Sequence, residues 1–375
     1  MIANSRKLSI YVHWPFCKTK CPYCNFNSHA RIVVQHDQWE DAFLKEIEFL
    51  HTLIENKKIT SIFFGGGTPS LMKPKTVDVI LKKINFLAEF CEDIEITLEA
   101  NPNSIERKKF IEFKAAGINR ISIGIQSFNN HNLKFLGRLH RTYDSLKALE
   151  VARSVFKNYS FDLMYCLPNQ KVIEWEKELN TVLQYIDYHI SCYQLTIDKG
   201  TNFFLDLRSN IFNMPQEQIA IQMYILTHDI LQSHGIHQYE ISNYSRSGYS
   251  CRHNVNYWRL NNYVGIGPGA HSRYYYNDCI YSTINYYDPK KWYQYLRNNK
   301  YPLQHKKKLT QNAQLFDKLT MGLRLNQGVP ISYISNTNAI KALIKDDFLT
   351  MNTSNLVACT LKGRLILNYL IKKLI

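Results

Sequence analysis

Over the first two-thirds of this chain the spacing of apolar positions switches regularly between two periods. Short runs rich in β-branched and aromatic residues, Leu8–Trp14, Ser61–Phe64, Ile94–Leu98, Arg120–Ile125, Ser160–Tyr165 and His189–Thr196, read as strands. The amphipathic stretches between them, Gln38–Leu53, Lys75–Phe90, Glu106–Ala115, Tyr143–Phe156, Glu174–Tyr185 and Pro215–His234, read as helices. In the last of these, Ile219, Met223, Leu226 and Ile230 share one face, the spacing of a helix with a single buried side. Six strand–helix units in series predict a parallel sheet with helices outside it. Six units rather than eight make the expected architecture α/β, an incomplete (β/α)6 barrel. Its chemistry should sit at the C-terminal mouth of the strands.

The rhythm breaks near residue 235. Residues 236–300 are dense in Tyr, Trp, Asn and Gly, and residues 310–375 read as helices with a short hairpin-like end. Leu361–Ile371 is the last helix candidate. The expected division is a partial barrel over 1–235 and a smaller, mainly helical C-terminal domain over 236–375.

At 375 residues with 45% hydrophobic and 21% charged positions, the chain has ample material for such a core. No apolar run approaches the roughly 18 residues of a membrane span. The start, Met1-Ile-Ala-Asn-Ser-Arg-Lys7, lacks an apolar stretch followed by a small-residue cleavage site, so no signal peptide is expected. Nine cysteines, mostly scattered, do not form a disulfide framework, and a reducing cytoplasm is the expected location. A net charge of +15 raises affinity for polyanions. Only His305-Lys306-Lys307-Lys308 is strongly basic, so charge alone names no target.

The candidate chemistry begins at Cys17-Lys-Thr-Lys-Cys21-Pro-Tyr-Cys24. Three thiolates on one tight loop can hold three irons of a [4Fe–4S] cube and leave the fourth open to a ligand. A zinc site is the competing reading. It needs a fourth nearby ligand, which His13 or His29 would supply only loosely. One strand–helix unit later, Gly65-Gly66-Gly67-Thr68-Pro69 follows the second strand. Its glycines let backbone approach a ligand closely, and Pro69 is expected to start a helix.

With these two features in this order, the chain resembles the radical S-adenosylmethionine (SAM) enzymes. Tyr11-Val-His-Trp-Pro-Phe-Cys17, Glu99-Ala-Asn-Pro102, Gly117-Ile-Asn-Arg-Ile-Ser-Ile-Gly-Ile-Gln-Ser-Phe128, Leu136-Gly-Arg-Leu-His140 and Asp162-Leu-Met-Tyr165 are similar to its coproporphyrinogen oxidase-like branch. That branch holds the oxygen-independent coproporphyrinogen III oxidases (HemN type) and the heme chaperones (HemW type). The resemblance covers essentially the whole chain. It implies a barrel of the radical SAM type, with a [4Fe–4S] cluster on Cys17, Cys21 and Cys24 and SAM on the open iron. It also places Tyr11, Tyr23, Gly66, Gly67, Thr68, Glu99, Gln126, Arg138 and Asp162 at cofactor-binding positions. Glu99 and Asp162, at strand ends, suit ribose hydroxyls or an ammonium. Arg138 can pair with a carboxylate, and Gln126 can both donate and accept. Cys166 stands where the family generally has Gly and reads as a buried, inert thiol.

Three features separate the branches. The oxidases typically read C-x3-C-x2-C-x-C, whereas here the last position is Phe26. The oxidases also carry a longer arm before the first strand, and this chain begins seven residues ahead of Leu8. His253-Asn-Val-Asn-Tyr-Trp258 matches the H-N-x-x-Y-W motif of the chaperones. A heme site needs an iron ligand, aromatic faces and cations for the propionates. His253, Cys251, Tyr257, Trp258, Arg252 and Arg259 supply each type, with His271 and Cys251 as alternatives to His253 for the iron. The competing structural reading has His253 and Asn254 capping a turn.

The expected function is a heme chaperone that delivers heme to an acceptor apoprotein and lacks the decarboxylase activity. A reductant such as flavodoxin or ferredoxin is implied. The alternatives are the oxidase itself, converting coproporphyrinogen III to protoporphyrinogen IX, and an RNA-modifying radical SAM enzyme. No RNA-binding module is visible, so no nucleic-acid partner is expected. A homodimer is a further expectation, as is peripheral contact with the inner membrane face through Lys306–Lys308, Lys372 and Lys373.

Overall fold

The computed structural model describes residues 6–104 and 107–375. All six expected strands form: β1 (Lys7–Trp14), β2 (Lys58–Gly66), β3 (Glu89–Ala100), β4 (Arg120–Gln126), β5 (Asn158–Tyr165) and β6 (His189–Gln194). They pair in chain order, each parallel to the next, through pairs such as Ile10↔Ile62, Ile62↔Ile96, Leu98↔Ile121 and Phe161↔Ile190. Those in-register residues occupy one face. They share a core with Phe43, Ile47, Ile80, Phe110, Ala152 and Trp175 from the surrounding helices. Burying each large apolar side chain there contributes about 2 kcal/mol.

The opposite face is polar, because side chains alternate with period two. It carries Ser9, Tyr11 and His13 of β1, Ser61 of β2, and Glu95, Thr97 and Glu99 of β3. Arg120 and Ser122 of β4, Ser160 and Asp162 of β5, and His189 and Ser191 of β6 complete it. A closed eight-stranded barrel fills this space with apolar layers. Here the incomplete barrel keeps it hydrophilic and partly open.

The outer helices run over His36–Phe49, Pro74–Leu87, Arg107–Ala115, Thr142–Val155, Val172–Val182 and Glu217–Ser233. Glu106, the expected first residue of the third, lies outside the described residues, as does the Met1–Ser5 start. The expected Lys75–Phe90 helix stops at Leu87, because Ala88 turns extended and Glu89 opens β3.

The sheet does not end with β6. On the β1 side, Tyr263–Ile266 pairs parallel to β1, and His271–Tyr276, Cys279–Asn285 and Leu303–Lys308 continue antiparallel. On the β6 side, Asn243–Ser245 and His237–Gln238 add two antiparallel strands, making a sheet of 12. The division expected at residue 235 thus falls inside this sheet. A separate core, with Leu319, Leu323, Ile340, Val357, Leu370 and Leu374, begins only beyond it. That last part is mainly helical, with helices at Gln311–Gly322, Thr337–Lys345, Leu361–Leu365 and Leu367–Leu374 around three short strands. The helix expected over Leu361–Ile371 is broken at Ile366. Among the described residues, no helix is long and apolar enough to cross a membrane.

Candidate functional site

The three cysteines leave β1 on a loop that turns at Cys21, where the Cys24 amide donates to the Cys21 carbonyl at 3.1 Å. Each sulfur meets a polar group from the protein. The Thr68 hydroxyl donates to Cys17 Sγ at 3.3 Å, Arg138 Nη1 donates to Cys21 Sγ at 3.4 Å, and the Ser28 hydroxyl lies 3.6 Å from Cys24 Sγ. Asn101 joins the first two, its amide donating to Thr68 Oγ1 at 3.0 Å while its carbonyl oxygen accepts from Arg138 Nη2. Arg138 also donates to the Gly124 carbonyl at 2.7 Å and to the Tyr23 hydroxyl at 3.4 Å. A continuous polar chain, Cys17–Thr68–Asn101–Arg138–Cys21, therefore links two sulfurs across three strand ends.

Burial pushes the Cys17 thiol up, and the Thr68 hydroxyl opposes that shift. Donors aimed at sulfur favour the thiolate that iron requires. Among the described residues, no three His, Cys, Asp or Glu side chains converge on one metal ion. Three cysteines on one loop, each met by a hydrogen-bonding group, could hold three irons of a [4Fe–4S] cluster.

The glycine loop is laced to the cysteine segment. The Gly67 amide donates to the Trp14 carbonyl at 2.7 Å, and the Thr68 amide to that of Phe16 at 2.9 Å. Gly66 has φ +111°, and a Cβ there would lie 2.6 Å from His13 Cε1. At Gly67 a Cβ would fall 2.7 Å from the Phe16 carbonyl oxygen. No side chain fits at either position without moving the backbone. Pro69 opens only a 3-10 turn, Pro69–Leu71, and the α-helix begins later, at Pro74. Gln126 ends β4 with φ +75°. A Cβ on Gly124 would lie 3.0 Å from its amide nitrogen and 3.5 Å from Arg138 and Asn101, so Gln126 sits beside that polar chain.

A second group lines a cavity of about 670 Å³ within the barrel: Tyr11, Gly66, Glu99, Asp162 and His253. The Gly66 amide donates to Glu99 Oε2 at 3.2 Å. Burial, reinforced by Asp162, pushes Glu99 up to about 8. Burial also raises Asp162 to about 6, against hydrogen bonds from Ser191 and Ser122 and the nearby Arg120. His13 Nε2 lies 2.8 Å from the Asn27 carbonyl oxygen, so it carries the proton, and Nδ1 accepts from the Tyr11 hydroxyl at 3.0 Å. Burial lowers His13 to about 4, which keeps that tautomer neutral.

The H-N-x-x-Y-W segment forms the helix Arg252–Trp258, packed across the barrel interior against β2. Its His253 stacks on Phe63 at 5.0 Å and lies 6.0 Å from the Tyr11 ring, with Nδ1 3.5 Å from Ser61 Oγ. Burial lowers its pKa to about 4, so the imidazole is neutral. The helix start is capped by Glu95, whose Oε1 accepts from the amides of Arg252 at 3.0 Å and His253 at 3.4 Å. The same oxygen accepts from Cys251 Sγ at 3.4 Å, and burial pushes that thiol up to about 12. A protonated Cys251 is a poor iron ligand. His271, Tyr257 and Trp258 line the same cavity. The two arginines expected for propionates do not: Arg252 pairs with Asp93 at 2.5 Å, and Arg259 donates to Gln327.

Sequence reasoning missed Asn101, Glu95 and Arg120, and weighed His13 only as a loose zinc ligand. Asn101 lay within the Glu99–Pro102 strand end, where its polarity was the available signal. The other three look like ordinary strand residues until the alternation places them inside the barrel.

Residues 11–182 match the model of the radical SAM superfamily. The heme chaperone HemW of Buchnera aphidicola subsp. Schizaphis graminum is 34% identical over 375 residues, covering 97% of each chain. A mitochondrial radical S-adenosyl methionine domain-containing protein 1 from Danio rerio is 36% identical over 335 residues, 87% of this chain and 75% of the relative. The structure of the coproporphyrinogen III oxidase HemN from Escherichia coli superposes with a TM-score of 0.82, over 99% of this chain and 90% of that one. Its 22% identity extends the likeness to the fold and no further. Similarity along nearly the full length of both chains is decisive for ancestry: this chain belongs to the radical SAM superfamily and, within it, to the HemW family.

Proposed function

We propose that this protein is a heme chaperone. In this reading it carries a SAM-liganded [4Fe–4S] cluster on Cys17, Cys21 and Cys24, binds heme in the adjoining cavity, and hands it to an acceptor apoprotein. The observation that carries the reading is the position of His253. It is a neutral, buried imidazole lining the same cavity as Tyr11, Gly66, Glu99 and Asp162. The similarity to a protein named as a heme chaperone supports it.

When bound, the cluster and SAM supply one-electron chemistry that no side chain can. The chain's own residues bind and orient. Thr68 and Arg138 hold the Cys17 and Cys21 sulfurs, and Asn101 fixes both donors. The Gly66 and Gly67 backbone leaves room for the methionine end of SAM. Glu99 suits its ammonium, since a neighbouring cation would draw the raised carboxyl back toward its ionised form. Tyr11, Tyr23, Gln126 and Asp162 complete the set proposed for SAM. Phe26, 60% exposed at the cavity edge, offers no thiol where the oxidases typically have one.

A flavodoxin- or ferredoxin-type reductant, a homodimer and a cytoplasmic site at the inner membrane face belong to the same proposal. The exposed edge strand Leu303–Lys308 presents Lys306, Lys307 and Lys308 for anionic lipid.

The test is anaerobic. The reconstituted protein is titrated with heme, mixed with a heme-free acceptor, and assayed on coproporphyrinogen III. Saturable heme binding and transfer without decarboxylation are expected. Decarboxylation at enzymatic rates would replace this reading with the oxidase.

A further inference from the structure

Arg120 opens β4 at the end opposite Gln126, about 20 Å away at the usual rise of a strand. Its side chain is 2% exposed, and its Nε has no hydrogen-bond partner. It takes part in no ion pair among the described residues. Thr97, its in-register neighbour on β3, likewise has a buried hydroxyl without a partner. Glu95 and Asp162 favour the charged form of Arg120 only from beyond ion-pair distance, Glu95 Oε1 capping the Arg252–Trp258 helix and Asp162 taking Ser191 and Ser122. A buried guanidinium is normally paired, because leaving it unpaired forfeits its hydration without return.

Arg120 also lines the cavity. Among the described residues that do so, it is the sole Arg or Lys. Arg252, Arg259 and Arg138 are turned to Asp93, Gln327 and the cysteine loop. We propose that Arg120 is the anchor for a carboxylate of the cargo, a propionate of the tetrapyrrole held in this cavity. The inference rests on the heme reading above. SAM also carries a carboxylate, but the cysteines and glycines proposed to hold it lie at the strands' other end. A guanidinium presents two parallel donors to a carboxylate, so it would fix the ligand's orientation as well as its charge.

The experiment compares iron protoporphyrin IX with its dimethyl ester, titrated into the reconstituted full-length protein and followed by the Soret band. The wild type is expected to prefer the free acid by roughly 10- to 100-fold, the range of a charge-assisted hydrogen bond. R120Q should erase that preference by weakening the acid alone, and R120K should keep part of it. Equal binding of acid and ester by the wild type, or an undiminished preference in R120Q, overturns the proposal. Loss of SAM affinity in R120Q with the preference intact would assign Arg120 to SAM and also overturn it. Should R120Q fail to fold, the wild-type comparison and R120K decide. If the wild type binds neither porphyrin, the heme reading itself has failed, a result distinct from equal binding of both.

Discussion

Thr68 and Cys17, 51 residues apart in the chain, meet at 3.3 Å, the hydroxyl donating to the sulfur while its oxygen accepts the Asn101 amide. Thr68→Val keeps the shape and removes both bonds. The apoprotein should lose about 1 kcal/mol in urea unfolding, because the Asn101 amide is left without this acceptor. Iron and sulfide retained after anaerobic reconstitution should also fall. A variant with unchanged stability and iron content would detach Thr68 from the cluster site.

Cys21→Ala removes one of three sulfurs and leaves the Arg138 guanidinium facing the gap. Iron content and the visible absorption of the reconstituted protein should collapse. Arg138→Lys should be intermediate. A lysine keeps the charge but cannot reach Cys21, Asn101 and Gly124 together. A normal cluster in Cys21→Ala would sink the cofactor assignment.

Glu99 carries a pH dependence of definite sign. Its folded pKa of about 8 stands above the ordinary carboxyl value, so between roughly pH 5 and 8 the folded protein holds a proton that the unfolded chain has released. Stability is therefore present at low pH and declines as pH rises through that window. Glu99→Gln should flatten part of the decline, by at most about 1.4 kcal/mol per pH unit. Urea unfolding of both apoproteins at pH 5.5 and 7.5 gives the comparison, and equal slopes would contradict the shift.

His253 packs against both Phe63 and Tyr11 with a neutral ring. His253→Ala should shift the Soret maximum of the heme complex and weaken binding, whereas His271→Ala should do neither. The reverse pattern would move the iron ligand to His271, which lines the same cavity.

Cys166 follows β5 with φ +62°, a region costly for any residue with a Cβ. A glycine would adopt that conformation without the penalty. Cys166→Gly should be more stable than Cys166→Ala by about 0.5–1 kcal/mol, since both lose the thiol and only glycine relieves the backbone. Thermal unfolding of the pair reads the difference directly.

The six barrel strands were legible because alternation and β-branched content are local. The flanking strands were not. Tyr274, Tyr275 and Tyr276 lie in an outer strand with one solvent-facing side, and Lys306–Lys308 form an exposed edge, so neither run carries an apolar signal. The boundary read at residue 235 marked the change of rhythm, but pairing between Tyr263–Ile266 and β1 depends on residues some 250 positions apart. No local pattern encodes that.

The cysteine spacing, the Gly66–Gly67 turn and the H-N-x-x-Y-W segment were fixed by the order of residues alone, since each is a short motif with its own geometry. The tertiary structure decided what surrounds them. It put Asn101 between Thr68 and Arg138, gave the capping of the Arg252–Trp258 helix to Glu95, turned Arg252 and Arg259 away, and left Arg120 facing the cavity. The reason is the alternation itself. It says that a strand residue points in or out, but only the closing of six strands around one space determines which inward groups meet.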